Sequence, residues 1–248
     1  MCKLDRQQLI YLLLAAHQMT FFNSTVPPLR RKQKNLDFQD LQGLWRIHLQ
    51  IGNTTLYSTF YTRIDQACIF WGLISAAIFF TAHFFPLSWN IQAALWSALT
   101  LIGTAVMVVW TRFWVKVEQV SWVLYCWVIL MLVGLVLTDL GIFLGWGNVL
   151  MRLCPLWLGL SAFGYFLTGL GVRSRAILLA GIVHLLCIFL LPYFCGWEFL
   201  IAGGVMVISL LILAEFQWDM RSPISYDALT LEQKQFNQQQ HQLRRMIV

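Results

Sequence analysis

The sequence predicts an all-α membrane protein: a compact bundle of six transmembrane helices, both termini cytoplasmic, with a short cytoplasmic N-terminal β-hairpin. Three observations predict it. Of 248 residues, 59% are hydrophobic and 11% charged, against about 25% charged in an ordinary soluble domain. A soluble monomer can neither hide nor tolerate that much apolar surface, and a disordered chain has the opposite composition. Six apolar runs with at most one charged residue each, at about 64–85, 91–110, 119–144, 153–172, 176–194 and 199–216, each approach the roughly 20 residues a bilayer demands. Basic residues alternate with those runs: of 17 Lys and Arg, Arg152 alone falls on the far side of a six-span arrangement. The positive-inside rule then places both termini in the cytoplasm.

This divides the chain into a cytoplasmic N-terminal segment (1–62), the six-helix domain (63–217) and a partly helical cytoplasmic tail (218–248). The apolar run at 8–16 is too short to span. His17-Gln-Met-Thr follows it with no A-x-A site, so an interfacial helix fits better than a signal peptide. Pro27-Pro28 and the basic run 30–34 read as a linker. Trp45, Ile47, Leu49 and Ile51 then alternate with Arg46, His48 and Gln50. Gly52-Asn53 offers a two-residue turn, and 54–61 is rich in Thr, Tyr and Phe. That pattern is a β-hairpin. An isolated hairpin is marginal in water, so it rests on the membrane surface or on a partner, with Trp45, Ile47 and Leu49 as the contacts. The glycosylation patterns at Asn23 and Asn53 are discounted, because both fall on the cytoplasmic side.

Within the domain, short links at 86–90 and 145–148 force antiparallel neighbours. The third run is longest and predicts tilt. Trp89, Trp110, Trp114, Trp146, Trp197 and Trp218 sit at run ends, where aromatic belts form. Beyond the sixth run, Ser222-Pro223 breaks the helix, and Thr230-Leu-Glu-Gln233 is a capping box. A helix could run from Leu231 to the chain end, with Leu229 just before it and Phe236 and Leu243 on it at heptad spacing. The stripe is thin and Gln-rich, so the helix reads as solvated, with partner binding through Phe236 and Leu243 as the alternative.

No phosphate loop, dinucleotide fingerprint, HExxH or GxSxG occurs, and no catalytic or metal-ligating residue is assigned. The six Cys have neither C-x-x-C nor regular spacing. Cys154 and Cys195 lie at matched depth on the far side, which leaves a disulfide open in an oxidising compartment. Ionisable groups inside a bilayer are the remaining functional candidates. His184 lies near mid-bilayer. It is a haem or chlorophyll ligand or a proton relay on one reading, and a neutral His bonded to a neighbouring helix on the other. His83 and Asp139 share a depth near the outer interface and could pair. Asp65, Arg112, Lys116, Glu118, Arg173, Arg175 and Glu215 form a ring of compensating charge at the cytoplasmic helix ends. Gly159, Ser161, Ala162, Gly164 and Gly169, with Ala202, Gly203 and Gly204, permit close helix packing. No internal repeat is apparent, which argues against an alternating-access transporter.

The predicted function is therefore a non-catalytic membrane subunit or assembly factor of a larger complex, without a cofactor. Its partners are membrane lipids and membrane proteins, not nucleic acid. A small-solute or ion transporter, and a haem- or pigment-binding protein using His184, are the alternatives.

Three segments carry a resemblance: Gly43-Leu-Trp-Arg46, the lead 53–63 into the first span, and the exit Leu213-Ala-Glu-Phe-Gln-Trp-Asp219. In these the chain resembles uncharacterised six-span integral membrane proteins of cyanobacteria. The resemblance implies a thylakoid or plasma membrane and a photosynthetic complex under assembly as partner. It brings no active site with it.

Overall fold

A computed structural model describes residues 21–22, 26–51, 54–221, 224 and 227–246. The apolar run at 8–16, Asn23, the Gly52-Asn53 turn and Ser222-Pro223 lie outside the described residues. Six helices are long and apolar enough to cross a membrane: α2 (Arg63–Phe84), α3 (Trp89–Val117), α4 (Ser121–Phe143), α6 (Leu153–Val172), α7 (Arg175–Leu190, extended to Tyr193 by a 3₁₀ turn) and α8 (Glu198–Glu215). Two single-turn helices, α1 (Phe38–Leu41) and α5 (Gly147–Leu150), and the tail helix α9 (Leu231–Met246) complete the helical part. The hairpin is β2 (Trp45–Ile51) paired antiparallel with β3 (Thr54–Tyr61), with a register irregularity at Leu49/Gln50.

The longest span is α3, at 29 residues, not the third span, which has 23. At 1.5 Å per residue α3 measures about 43 Å, well over the roughly 30 Å of hydrocarbon. Its last turns run on past the apolar stretch, because Arg112 and Lys116 are exposed there while Trp114 and Val117 are buried. The extension ends at Gln119 with φ 55, and α6 ends in the same way at Arg173 with φ 57. In each the chain turns left-handed and the next amide closes on the carbonyl five residues back, Val120 to Val115 and Ser174 to Gly169, both at 2.8 Å. Satisfying those carbonyls outweighs the strain of a left-handed side-chain-bearing residue.

Around the bundle, α2, α3, α4, α6, α7 and α8 neighbour one another in chain order, and α8 closes the ring against α2. α8 also touches α6. The ring surrounds a central cavity of about 200 Å³. Two small residues set the closest approaches. A Cβ on Gly164 would lie 2.5 Å from the Trp127 ring, and one on Gly203 would lie 2.5 Å from the Phe79 Cβ. Gly204, beside it, faces open space.

Gly203→Ala is therefore expected to destabilise the bundle by about 1–3 kcal/mol through overpacking, while Gly204→Ala is neutral or mildly stabilising. Thermal unfolding of the two variants in detergent checks this. Equal effects would refute the packing assignment.

Candidate functional site

Both described chain ends meet at one end of the bundle, the terminal face, and a buried polar layer joins them there. Leu29–Arg30 (β1) pairs antiparallel with Gln217–Trp218 (β4), sewing the N-terminal segment to the exit of α8. Asp219, fully buried, follows β4 and caps α7. Its carboxylate accepts from the backbone N–H groups of Arg175 (3.2 Å) and Ala176 (3.1 Å), from Ser174 Oγ (3.0 Å), and from Arg175 Nε (2.8 Å). A carboxylate at a helix N-terminus meets free donors and the positive end of the dipole.

Further round, Lys32 Nζ donates to Asp65 at 2.7 Å and to the Phe60 carbonyl at 2.9 Å. Asp65 also accepts from Thr62 N, completing a capping box at the start of α2. Trp114 Nε1 donates to Asp40 at 2.9 Å. Gln39 donates to Glu118 at 2.9 Å and accepts from Asn237 of α9 at 3.0 Å. Arg221 pairs with Glu118 at 3.7 Å. Asp37 takes His241 at 3.1 Å and Arg244 at 2.6 Å. Burial first, and then the neighbouring Asp37, push the Asp40 carboxyl up to about 7. Burial raises Glu118 as well.

The three acids expected to form a charge ring are thus individually held by the flanking segments. Asp65 binds Lys32 and Glu118 binds Gln39 and Arg221, while Glu215 accepts from the hydroxyls of Tyr57 and Tyr61 of β3 at 2.9 and 2.8 Å. Arg175 binds Asp219. Arg112, Lys116 and Arg173 stay exposed at the rim, Arg173 lying over the Phe21 ring. The tail helix is docked, not solvated. Its packed stripe is polar, Asn237-His241-Arg244, and lies one residue off the apolar one. Phe236 is half-buried and Leu243 exposed, whereas Leu229 is buried against Val117. A search for apolar periodicity passes over such a stripe.

The hairpin stands at the rim of this face. Trp45, Leu49 and Ile51 are 62%, 56% and 71% exposed, and Ile47 is half-buried.

Six tryptophans line the central cavity: Trp71, Trp96, Trp114, Trp127, Trp157 and Trp218. Trp114 and Trp218, expected in an interfacial belt, instead turn inward and meet edge to face with ring centroids 6.3 Å apart. Between α4 and α6 the packing is reciprocal. Trp127 covers Gly164 and donates to Thr168 at 2.8 Å; Thr168 back-bonds to the Gly164 carbonyl. Trp157 covers Gly134 and donates to Thr138 at 3.1 Å; Thr138 back-bonds to the Gly134 carbonyl. The sequence holds this as a repeat: Trp127-x6-Gly134-x3-Thr138 recurs as Trp157-x6-Gly164-x3-Thr168. Leu130, Leu137, Leu140 and Gly141 recur in step as Leu160, Leu167, Leu170 and Gly171. The expectation of no internal repeat is therefore corrected. The repeat spans one helix, below the scale of a search for matching halves. Between α2 and α3 the same spacing gives Trp71-x6-Ile78-x3-Ala82 and Trp96-x6-Gly103-x3-Met107. There Ile74 and Trp71 cover Gly103 and Ile78 packs against the cluster that holds Trp96, but no threonine stands at the corresponding positions. The Trp71 and Trp96 indole N–H groups are accordingly buried without an acceptor.

His184 is fully buried. Its Nδ1 lies 2.8 Å from the Ala180 carbonyl of its own helix, not of a neighbour, its ring centroid is 4.9 Å from that of Tyr165, and Nε2 has no partner. It does not border the cavity. His83 and Asp139 do not pair. Both Asp139 oxygens accept from Ser97 at 2.9 Å, and His83 stacks on Trp197 at 5.2 Å. Cys154 is buried and Cys195 exposed, and both thiols are free. Among the described residues, no cluster of three or more His, Cys, Asp or Glu could hold a metal ion, and none lining the cavity is Asp, Glu, Lys, Arg or His. No protein-family model matches the chain, and neither does any curated protein or solved structure.

Two predictions follow from the polar layer. Asp219→Ala takes away the acceptor of Arg175 Nε and of two helix-end N–H groups, and is expected to cost about 3–5 kcal/mol; Asp219→Asn, which keeps an acceptor for the helix end, costs less. Unfolding in detergent measures both, and an Asp219→Ala variant as stable as the parent would dismiss the cap. The folded-state pKa of Asp40, about 7, lies above its ordinary value of 3.8. Between those values the folded chain keeps a proton the unfolded chain has released, so stability falls as pH rises through that window. Asp40→Asn should therefore melt higher than the parent at pH 8, with the gap closing as pH falls toward 4. A gap independent of pH contradicts the burial of this carboxyl.

Proposed function

We propose that the chain is a non-catalytic integral membrane scaffold or assembly factor, with its terminal face in the cytoplasm and the hairpin as its working surface. The observation that carries this reading is a contrast at one end of the molecule. Polar groups are locked into a buried network, while Trp45, Leu49 and Ile51 stand exposed on a strand pair whose root is pinned by Tyr57 and Tyr61 to Glu215. A rigidly anchored aromatic and aliphatic face loses little conformational freedom on binding, which favours association. The basic rim of Arg112, Lys116 and Arg173 supports a cytoplasmic placement. The client is a membrane protein. On the cyanobacterial resemblance it is a photosynthetic complex under assembly, in a thylakoid or plasma membrane.

Transport is less well supported. Among the described residues the cavity wall carries no fixed charge, and Asp139 is engaged with Ser97. The pigment reading needs space beside His184, and the ring is enclosed by its own helix and Tyr165.

A photo-crosslinking residue at Leu49 is expected to yield a discrete protein adduct in native membranes, and one at lipid-facing Leu132 is not. Trp45→Ser with Ile51→Ser should abolish that adduct without lowering the melting temperature, and Asp139→Asn should leave it unchanged. Lipid adducts alone at Leu49, or loss of function confined to Asp139→Asn, would turn the assignment toward transport.

A further inference from the structure

We propose that the central cavity is a binding site for a single uncharged hydrocarbon chain bearing an oxygen acceptor, of the acyl or isoprenoid ester class. Three observations define the occupant. The first is shape. The wall runs from Trp114 to Trp96 along α3, a rise of about 27 Å at 1.5 Å per residue. A cavity walled over that length by side chains of α2, α3, α4, α6 and α8 suits an extended chain better than a compact ring system.

The second is chemistry. The wall is aromatic and aliphatic, broken by Ser and Thr hydroxyls, and contains no charged side chain among the described residues. A charged ligand would be left without a counter-ion in the low-dielectric interior. An uncharged chain loses nothing there.

The third is the pair of free donors. The α4/α6 interlock satisfies both its indoles with Thr138 and Thr168. The α2/α3 pair has Ala82 and Met107 at the corresponding positions, and Trp71 and Trp96 keep buried N–H groups with no acceptor. Trp96 is 6% exposed, and both indoles line the cavity. A buried donor without a partner is costly, and native structures leave few of them. An ester or ether oxygen on a bound chain supplies what the missing threonines do not. The site lies within the bundle, apart from the hairpin, and stands independently of the scaffold reading.

The test uses full-length protein in digitonin, a steroid glycoside with no flexible hydrocarbon chain of its own to compete for the cavity. The probe is methyl 9,10-dibromostearate, because bromine quenches tryptophan on contact and six tryptophans line the wall. Quenching is expected to saturate near one chain per protein and to be reversed by unbrominated competitors. Stronger reversal by methyl stearate assigns the acyl source, and stronger reversal by geranylgeranyl acetate the isoprenoid one. Ser161→Phe, which fills the wall where Ser161 is 3% exposed, should remove the saturable component. Trp71→Phe and Trp96→Phe delete a donor while keeping an aromatic wall, so at least one should weaken binding about fivefold, the worth of one neutral hydrogen bond. A melting temperature near the parent's qualifies each variant. Quenching that rises without saturation, equally in the parent and in Ser161→Phe, overturns the proposal. So does saturable quenching that neither competitor reverses, or that neither tryptophan substitution weakens.

Discussion

Among lipid tails an apolar side chain gains nothing by leaving the solvent for a neighbouring helix, so close packing and polar clamps must hold the bundle. The structure meets that constraint with tryptophan laid over glycine. Trp127 on Gly164 and Trp157 on Gly134 bring α4 and α6 together over the largest rigid surfaces a side chain offers, and each indole N–H ends on a threonine of the partner helix. That threonine also takes up the carbonyl of the covered glycine's turn. Because the two helices run antiparallel, one sequence pattern written twice makes both halves of the contact. The cavity follows from the same choice, since bulky indoles wedged at the helix contacts keep the backbones from collapsing onto the ring's centre.

A second constraint operates where the spans meet water. Helix ends carry donors and acceptors that lipid cannot satisfy. On the terminal face they are met by the flanking segments: Asp219 caps α7, Thr62 and Asp65 cap α2, and Gln39 and Arg221 close on Glu118 at the end of α3. The described residues on either side of 62/63 and 217/218 are thus bound to the helix ends they flank. The over-length α3 carries Trp114 and Glu118 to the level of α1, where that layer forms.

Much of the fold is legible in the sequence, because length, hydropathy and basic-residue alternation are local signals. The six spans fall within a few residues of their expected bounds, except that α3 continues to Val117, where charged residues disguise a helix that has left the lipid. The hairpin strands and the helix from Leu231 follow from alternation and a capping box. What is not legible is partnership across distance. Nothing local pairs Asp219 with the start of α7, or Asp37 with His241 and Arg244 some two hundred positions away. Depth alone suggested His83 with Asp139, but equal depth does not make two helix faces meet. The Trp-x6-Gly-x3-Thr repeat was readable, yet gained meaning only once Trp127 was seen to cover Gly164.

The two ends of the argument join at α2 and α3. Their interlock keeps the Trp71–Gly103 contact and the spacing of the other pair but not its threonines. If packing were the sole demand, losing the threonines would be a plain defect, since two buried donors are left unmet where the α4/α6 interlock satisfies both of its own. Both of those indoles line the cavity, on the two helices adjoining the hairpin and the polar layer. A site that must receive something from the membrane needs unmet donors at its wall before the ligand arrives. Completing the α2/α3 interlock with threonine would give a tighter bundle and a cavity with nothing left to offer an oxygen.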